Sequence, residues 1–531
     1  MARILLNIGI MAGCVAGLRQ LFLHLSAGDP YLYWFLCLFA WRYTRLLINL
    51  IAFWCYSPAP KPKGKSTYSP SKDVTVILPT IDPEDSGFLE CLETCAINAP
   101  AKIVIVTAGD DLYHKTLMEV RRLKERYKPT EFAVHRTQVA SKREQVALAV
   151  PHVDTDITVM LDDRAFWGPH YLETVLRPFE DPAVGLVGTN KRSRRVDGLG
   201  LWARVWNMLG ATYLMRHNFE IRATNTIDGG VFVVSARTCA MRTAILRHPE
   251  FLPGYTRETF FFGLFGPLNP DDDNYNTRFA VRHDWKIKIQ YTQDALMETV
   301  VGTQRPSAAK FLGQCRRWAR TTWRSNLCSL VTDRSVWRSQ PYCVYAVYLT
   351  SLTNFAAVTD PLLIYLLTHS SACSSPSTVA YLVSWIFVSK LIKIFPYFLA
   401  HPQDVWLFPV YSGFAYFHSL IKLWALLTFW DCSWSGRRLD RIRHAAIQPL
   451  RARIAGLYVK CIRHAAHYQD PTLAEFQRLQ QQVKGDGQIA GGFLRMVDSH
   501  AAGGRDQGHA ECFRDGDLRR HPDIWPAAPR S

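Results

Sequence analysis

No Cys-x-x-Cys pair occurs anywhere in the 531 residues, which excludes the closely spaced thiolate pairs of common structural zinc sites. The 13 cysteines are scattered singly, apart from Cys91 and Cys95, and their number is odd. Such a set reads as reduced thiols facing cytosol or buried in membrane, not as a disulfide framework. An Asn-x-Ser/Thr sequon is also missing, in keeping with a polar region on the cytosolic side. No internal repeat is visible. Positive charge is not gathered into a single block, as it is in many basic arms that bind nucleic acid.

The chain is nonetheless basic, with a formal charge of +17. Nucleic acid, anionic lipid or a phosphorylated substrate could each call for that excess. The cations cluster around Lys61 to Lys72, Arg316 to Arg324 and Arg437 to Arg463. The first and third groups flank apolar segments, which favours a membrane surface over nucleic acid. Aromatics are abundant, at 16 Trp, 22 Tyr and 28 Phe, as expected of membrane interfaces. Mean hydropathy is −0.05, so a polar part must offset an apolar one. The length calls for two or more regions.

The segments fall into a membrane–globule–membrane order. Residues 1–56 hold two apolar runs, Ile4 to Leu25 and Tyr31 to Tyr56, each long enough to cross ~30 Å of hydrocarbon. Ile4 to Leu25, preceded by Arg3, also suits a signal peptide. Residues 57–72 form a Pro-, Lys- and Ser-rich basic tether. From 73 to 304 short Val/Ile runs alternate with helical patterns, predicting an α/β domain with a mostly parallel sheet. Strands are expected at 74–79, 103–107, 132–135 and 157–161, and a further one at 231–234. Residues 305–340 read as basic interfacial helices. Residues 341–431 hold three candidate spans, Tyr342 to Leu367, Val379 to Ala400 and Val405 to Trp430. Lys390 and Lys393 would be costly in lipid unless they face protein, so one of the three is expected to be partial. Residues 432–531 read as a basic, partly disordered cytosolic tail.

Chemistry concentrates in a few clusters. Asp162 and Asp163 follow a buried strand, where carboxylates can hold Mg²⁺ or Mn²⁺ against substrate phosphates or simply make a cap or turn. Asp271, Asp272 and Asp273 repel one another, which can raise one of them toward a useful base; a solvated acidic turn is the plainer reading. Asp228, Gly229 and Gly230 allow close backbone approach to a ligand, or form an ordinary turn. Lys142 and Arg143 open a helix, a place that favours phosphate, although a solvated basic face would look the same. Gln314, Arg316, Arg317 and Trp318 could grip a diphosphate and stack a sugar ring. They could equally rest on anionic headgroups.

In this order the motifs resemble the processive family 2 glycosyltransferases with a GT-A fold: hyaluronan, chitin and cellulose synthases. Asp162-Asp163-Arg164-Ala165-Phe166-Trp167 and Asp271-Asp272-Asp273-Asn274-Tyr275 are most similar to the fungal capsule-type polysaccharide synthase branch. The resemblance implies a cytosolic GT-A domain flanked by transmembrane helices, in a multi-pass plasma-membrane protein. It implies a UDP-sugar donor, a growing polysaccharide acceptor that is extruded, and Mg²⁺ or Mn²⁺. Asp162 and Asp163 would hold the metal, and Asp273, or else Asp272, would be the base. Lys142, Arg143, Asp162, Gln314, Arg316 and Arg317 would bind the donor, while Asp228, Gly229, Gly230 and Trp318 would line the acceptor path. Two departures stand out. Arg164 occupies the third position of the usual D-x-D metal motif. The family's nucleotide-binding aspartate after the second strand is also missing, because Val106-Thr107-Ala108-Gly109 stands at its place, so Asp82 or Asp110 would substitute. A single-transfer enzyme of the ceramide glucosyltransferase type and a catalytically weak scaffold of the same fold are the alternatives.

Overall fold

The computed structural model describes residues 2–432, apart from 197, 199, 262 and 303–306. The expected tail, from 433 onward, lies outside the described residues.

Ten strands form. They are β1 (Val74–Pro79), β2 (Lys102–Ala108), β3 (Glu131–Thr137), β4 (Ile157–Leu161), β5 (Phe166–Trp167), β6 (Val184–Thr189), β7 (Lys191–Ser193), β8 (Thr238–Arg242), β9 (Lys286–Gln290) and β10 (Met297–Thr299). Seven make one sheet in the order β3-β2-β1-β4-β8-β6-β9, and β5-β10-β7 make a small second sheet. Every residue of β1 and β4 is buried, which is why both read as unbroken apolar runs and not as alternating ones. In the large sheet only β8 runs against its neighbours, β4 and β6.

Helices cover this sheet. Ser86–Ile97 starts on Asp85, whose side chain accepts the Gly87 N–H, and it buries Phe88, Cys91, Leu92 and Cys95. Lys142–Ala149 starts on Ser141, whose hydroxyl accepts from the Glu144 N–H, the spacing of a capping box. The chain lays β2 and β3 on one side of β1 and then crosses to place β4 on the other. That reversal opens a crevice at the carboxyl ends of β1 and β4, the usual ligand position in such sheets.

The expected strand at 231–234 does not form. Its backbone serves side chains instead of a ladder: Val234 N–H donates to Thr277 Oγ1 at 2.9 Å, and two residues on Ala236 N–H points at Asp273 Oδ2 at 3.4 Å. The helix Leu201–Asp228, 28 residues long, has no counterpart among the sequence expectations. It packs against Pro30–Cys55, β7 and the helix Ser307–Leu327.

Among the described residues Pro30–Cys55 alone is a single straight helix long and apolar enough to cross a membrane. The expected run 342–367 breaks by 91° between Thr353 and Ala356, although its two halves pass the same test together. Arg42 donates to Asn354 Oδ1 and Thr359 Oγ1, each at 2.7 Å, across that break. The run 379–400 divides into Pro376–Ile392 and Phe395–Ala400, with Pro396 disfavouring helix just before it. The run 405–430 becomes a short 3₁₀ turn and the helix Phe408–Leu426. Both lysines that would be costly in lipid face protein: Lys390 meets Asp360 at 2.6 Å and Lys393 meets Glu220 at 2.7 Å.

Candidate functional site

The crevice between β1 and β4 is fixed by short polar contacts. Thr80, just past β1, donates to Asp163 Oδ2 at 3.0 Å, joining the two strand ends. Gln145 donates to the Thr80 and Val106 carbonyls at 3.0 and 2.8 Å, so the helix Lys142–Ala149 is pinned over the same edge. Lys142 reaches Asp162 at 2.6 Å and Asp272 at 2.9 Å. Burial opposes its charge, but the two carboxylates outweigh it and hold the ammonium pKa above its ordinary value.

The three consecutive aspartates have separate surroundings. Asp271 adopts the left-handed conformation at φ +67° and turns toward the helix Ser307–Leu327. There Thr321 Oγ1 donates to its Oδ1 at 2.5 Å and Arg324 Nε to its Oδ2 at 2.8 Å. Asp272 turns toward Lys142. Burial raises its pKa, yet Lys142, Arg143 and Arg317 together outweigh that and leave the carboxyl below the usual range. Asp273 opens toward the cavity and accepts the Asn274 N–H at 3.0 Å. Burial, then the charge on Asp272, pushes its pKa up to about 6. One run of sequence thus yields an anchor, a paired anion and a carboxylate of raised basicity.

The cavity has a volume of about 440 Å³. Its sheet-side wall includes Asp162, Asp273, Lys191, Arg237, Arg317 and Trp318. Trp318 stacks on Tyr213 with centroids 4.9 Å apart, and Arg237 lies 5.7 Å from the Trp318 ring centroid. The same cavity continues to Lys393, Ser419 and Lys422 on the apolar helices.

The expected residues divide accordingly. Lys142, Asp162, Asp272, Asp273, Arg317 and Trp318 share the cavity wall. Asp163 lies just behind it on Thr80. Arg143 is buried away from it, donating to the Tyr255 and Pro270 carbonyls and to Glu258; it shapes the loop before Asp271. Arg164 turns back to Asp85 at 2.9 Å and Asp82 at 3.5 Å. Asp110 pairs with Arg136. Asp228 accepts from Gly230 and Cys343 N–H, and a Cβ on Gly230 would come within 2.5 Å of Cys343 Cβ. Asp228, Gly229 and Gly230 therefore serve helix packing and do not line the cavity. Gln314 and Arg316 are half-buried on the helix of Trp318, outside the lining.

Sequence reasoning missed Lys191, Arg237, Tyr213 and Arg324. Only Arg324 left a signal: with Arg317 and Thr321 it repeats at helical spacing on one polar face. Lys191 is held by Asn218, which exchanges hydrogen bonds with its backbone N–H and C=O at 3.1 and 2.6 Å. Burial, then Arg237, draws the Lys191 ammonium pKa down to about 7.

Asp162 and Asp163 offer hard oxygen donors beside the Thr80 hydroxyl, a set that fits Mg²⁺ or Mn²⁺ better than a softer ion. Elsewhere among the described residues, ligand atoms of His248, Glu250 and His283 lie within 4.8 Å of one another. None of these three lines the cavity.

Residues 70–321 match the family described as glycosyltransferase like family 2. A type 2 glycosyltransferase of Gibberella zeae is 40% identical over 413 residues, covering 77% of this chain and 76% of the relative. A hyaluronan synthase of Streptococcus pyogenes is 24% identical, covering 74% of this chain and 89% of the relative. A solved mannosyltransferase from Pyrobaculum calidifontis, in complex with GDP-Man and Mn²⁺, superposes with TM-score 0.45 at 16% identity, covering 74% of this chain and 97% of that one.

Proposed function

Because the chain belongs to the type 2 glycosyltransferases, we propose that it builds a polysaccharide by inverting transfer from a UDP-sugar, with Asp273 as the base. The observation that carries this reading is the single cavity, which runs from Asp162 and Asp273 at the sheet edge to Lys393, Ser419 and Lys422 on the apolar helices. An enzyme that adds one sugar and releases the product needs only the first half. One that retains a growing chain needs somewhere for that chain to go.

In this mechanism the acceptor hydroxyl sits against Asp273. Its oxygen forms a bond to the sugar anomeric carbon as the bond to the diphosphate breaks. Asp273 takes the hydroxyl proton, and its raised basicity suits that task near neutral pH. Attack opposite the leaving group inverts the anomeric centre. The diphosphate departs carrying the bonding electron pair, and the cations of Arg317, Arg237 and Lys142 offset the charge it develops. A divalent ion on Asp162 and Asp163 would neutralise part of the same charge. Trp318, held flat by Tyr213, offers a platform for the acceptor ring.

The apolar helices would seat the enzyme in a bilayer with the sheet domain on the cytosolic side, and the product would leave through them. The test is a UDP-release assay on the detergent-purified full chain, with a panel of UDP-sugars and Mg²⁺ or Mn²⁺, followed by sizing of the product. Long chains support the reading. One sugar added to a lipid supports single transfer, and no release from any donor ends both.

A further inference from the structure

Six cations line the helix-side arm of the cavity: Arg42, Arg45, Arg216, Lys390, Lys393 and Lys422. They do not all have acidic partners there. Asp360 serves both Arg42 and Lys390, and Glu220 serves Lys393. Arg45 instead donates to the Ala346 carbonyl at 3.0 Å and Thr350 Oγ1 at 2.7 Å. Lys422 donates to the Ser351 and Asn354 carbonyls at 2.5 and 2.9 Å. Among the described residues, six cations against these two carboxylates leave a surplus of four positive charges.

Such a surplus is costly among apolar helices, because attraction and repulsion both grow as the dielectric falls. Neutral hydroxyls and aromatic rings would suffice to guide an uncharged sugar chain. The arm already has them in Ser351, Ser389, Ser419 and Tyr411. His418, also in the wall, has a buried Nε2 with no hydrogen-bond partner among the described residues. The cations therefore call for negative charge on whatever occupies this arm.

We propose that the helix-side arm is a binding site for an anionic saccharide, so that the chain this enzyme extends carries carboxylate or phosphate groups. The inference rests on the transferase reading above and adds the chemical class of its acceptor. Negative charge arriving from the sheet side would meet Arg45 and Lys422, whose hydrogen bonds go to neutral oxygens that an anion can replace.

The test uses the full chain in detergent and two probes: a tetrasaccharide of alternating glucuronic acid and N-acetylglucosamine, and its neutral carboxyl-reduced form. Thermophoretic titration at low salt should show the acidic probe binding at least about tenfold more tightly, with the preference fading as salt is raised. Lys422→Gln, and separately Arg45→Gln, should each reduce the preference while a melting curve shows the variant folded. Equal affinities for the two probes would overturn the proposal. So would loss of the preference in nanodiscs containing phosphatidylserine but not in phosphatidylcholine alone, because the cations would then belong to lipid headgroups. UDP release with a neutral product sinks this inference and leaves the transferase reading standing. No UDP release from any donor sinks the transferase reading itself.

Discussion

Arg324 and Asp271 are joined by two contacts, at 2.8 and 2.7 Å, and both side chains are almost fully buried. The pair ties the helix carrying Arg317 and Trp318 to the N-terminus of the helix Asp272–Arg282, which carries Asp272 and Asp273. The proposed base and the proposed sugar platform are thus held in fixed relation by groups that need not touch substrate.

Breaking that tie should be severe. Arg324→Ala leaves Asp271 buried beside Thr321 with its main cation gone, a change of about 3–5 kcal/mol in typical cases. A melting curve of the purified variant should show a large drop. A double change to Asp271→Asn with Arg324→Met should be milder than Arg324→Ala, because no charge is then stranded.

Asp273→Asn keeps the shape of the side chain and removes its basicity. Transfer should fall by about 10²-fold or more, read as UDP release, while the melting temperature stays close to that of the parent. A variant that turns over normally would remove Asp273 from the base role.

The same carboxylate sets a pH profile. As the proposed base Asp273 would work deprotonated, so kcat/KM should rise with pH through an acidic limb near 6. Asp272 raises that pKa by repulsion, so Asp272→Asn should move the limb to lower pH. Lys142 lowers it by attraction, so Lys142→Met should move the limb higher. An unmoved limb in both variants would assign it to another group.

Arg164→Ala should spare the fold. The side chains in its pairs with Asp82 and Asp85 are a third to a half exposed, and exposed pairs contribute about 1 kcal/mol or less. The two freed carboxylates would repel an incoming diphosphate, so the KM for the donor should rise several-fold with little change in kcat. Initial rates across a donor series measure both.

The sheet was legible because β1, β2 and β4 are buried on both faces and write themselves as Val/Ile runs. The Asp162, Asp273 and Trp318 positions were legible because strand ends, helix starts and basic aromatic turns leave local marks. Lys191 and Arg237 left none, since their place in the wall depends on Asn218 and Trp318, which lie far from them along the chain. Arg143 misled for the converse reason. Its position at a helix start suits phosphate, but Glu258 and the Pro270 carbonyl claim it. The helix Leu201–Asp228 mixes polar and apolar residues on nearly every side because it is packed from several directions, which erases the periodicity that would have marked it.

Arg42 leaves the ribosome in the second helix, long before Asn354, 312 residues later, and before Asp360 and Lys390 exist. Its guanidinium must therefore wait, without these partners, through the synthesis of the whole sheet domain. Final docking of the first helices comes last in time, although they come first in the chain.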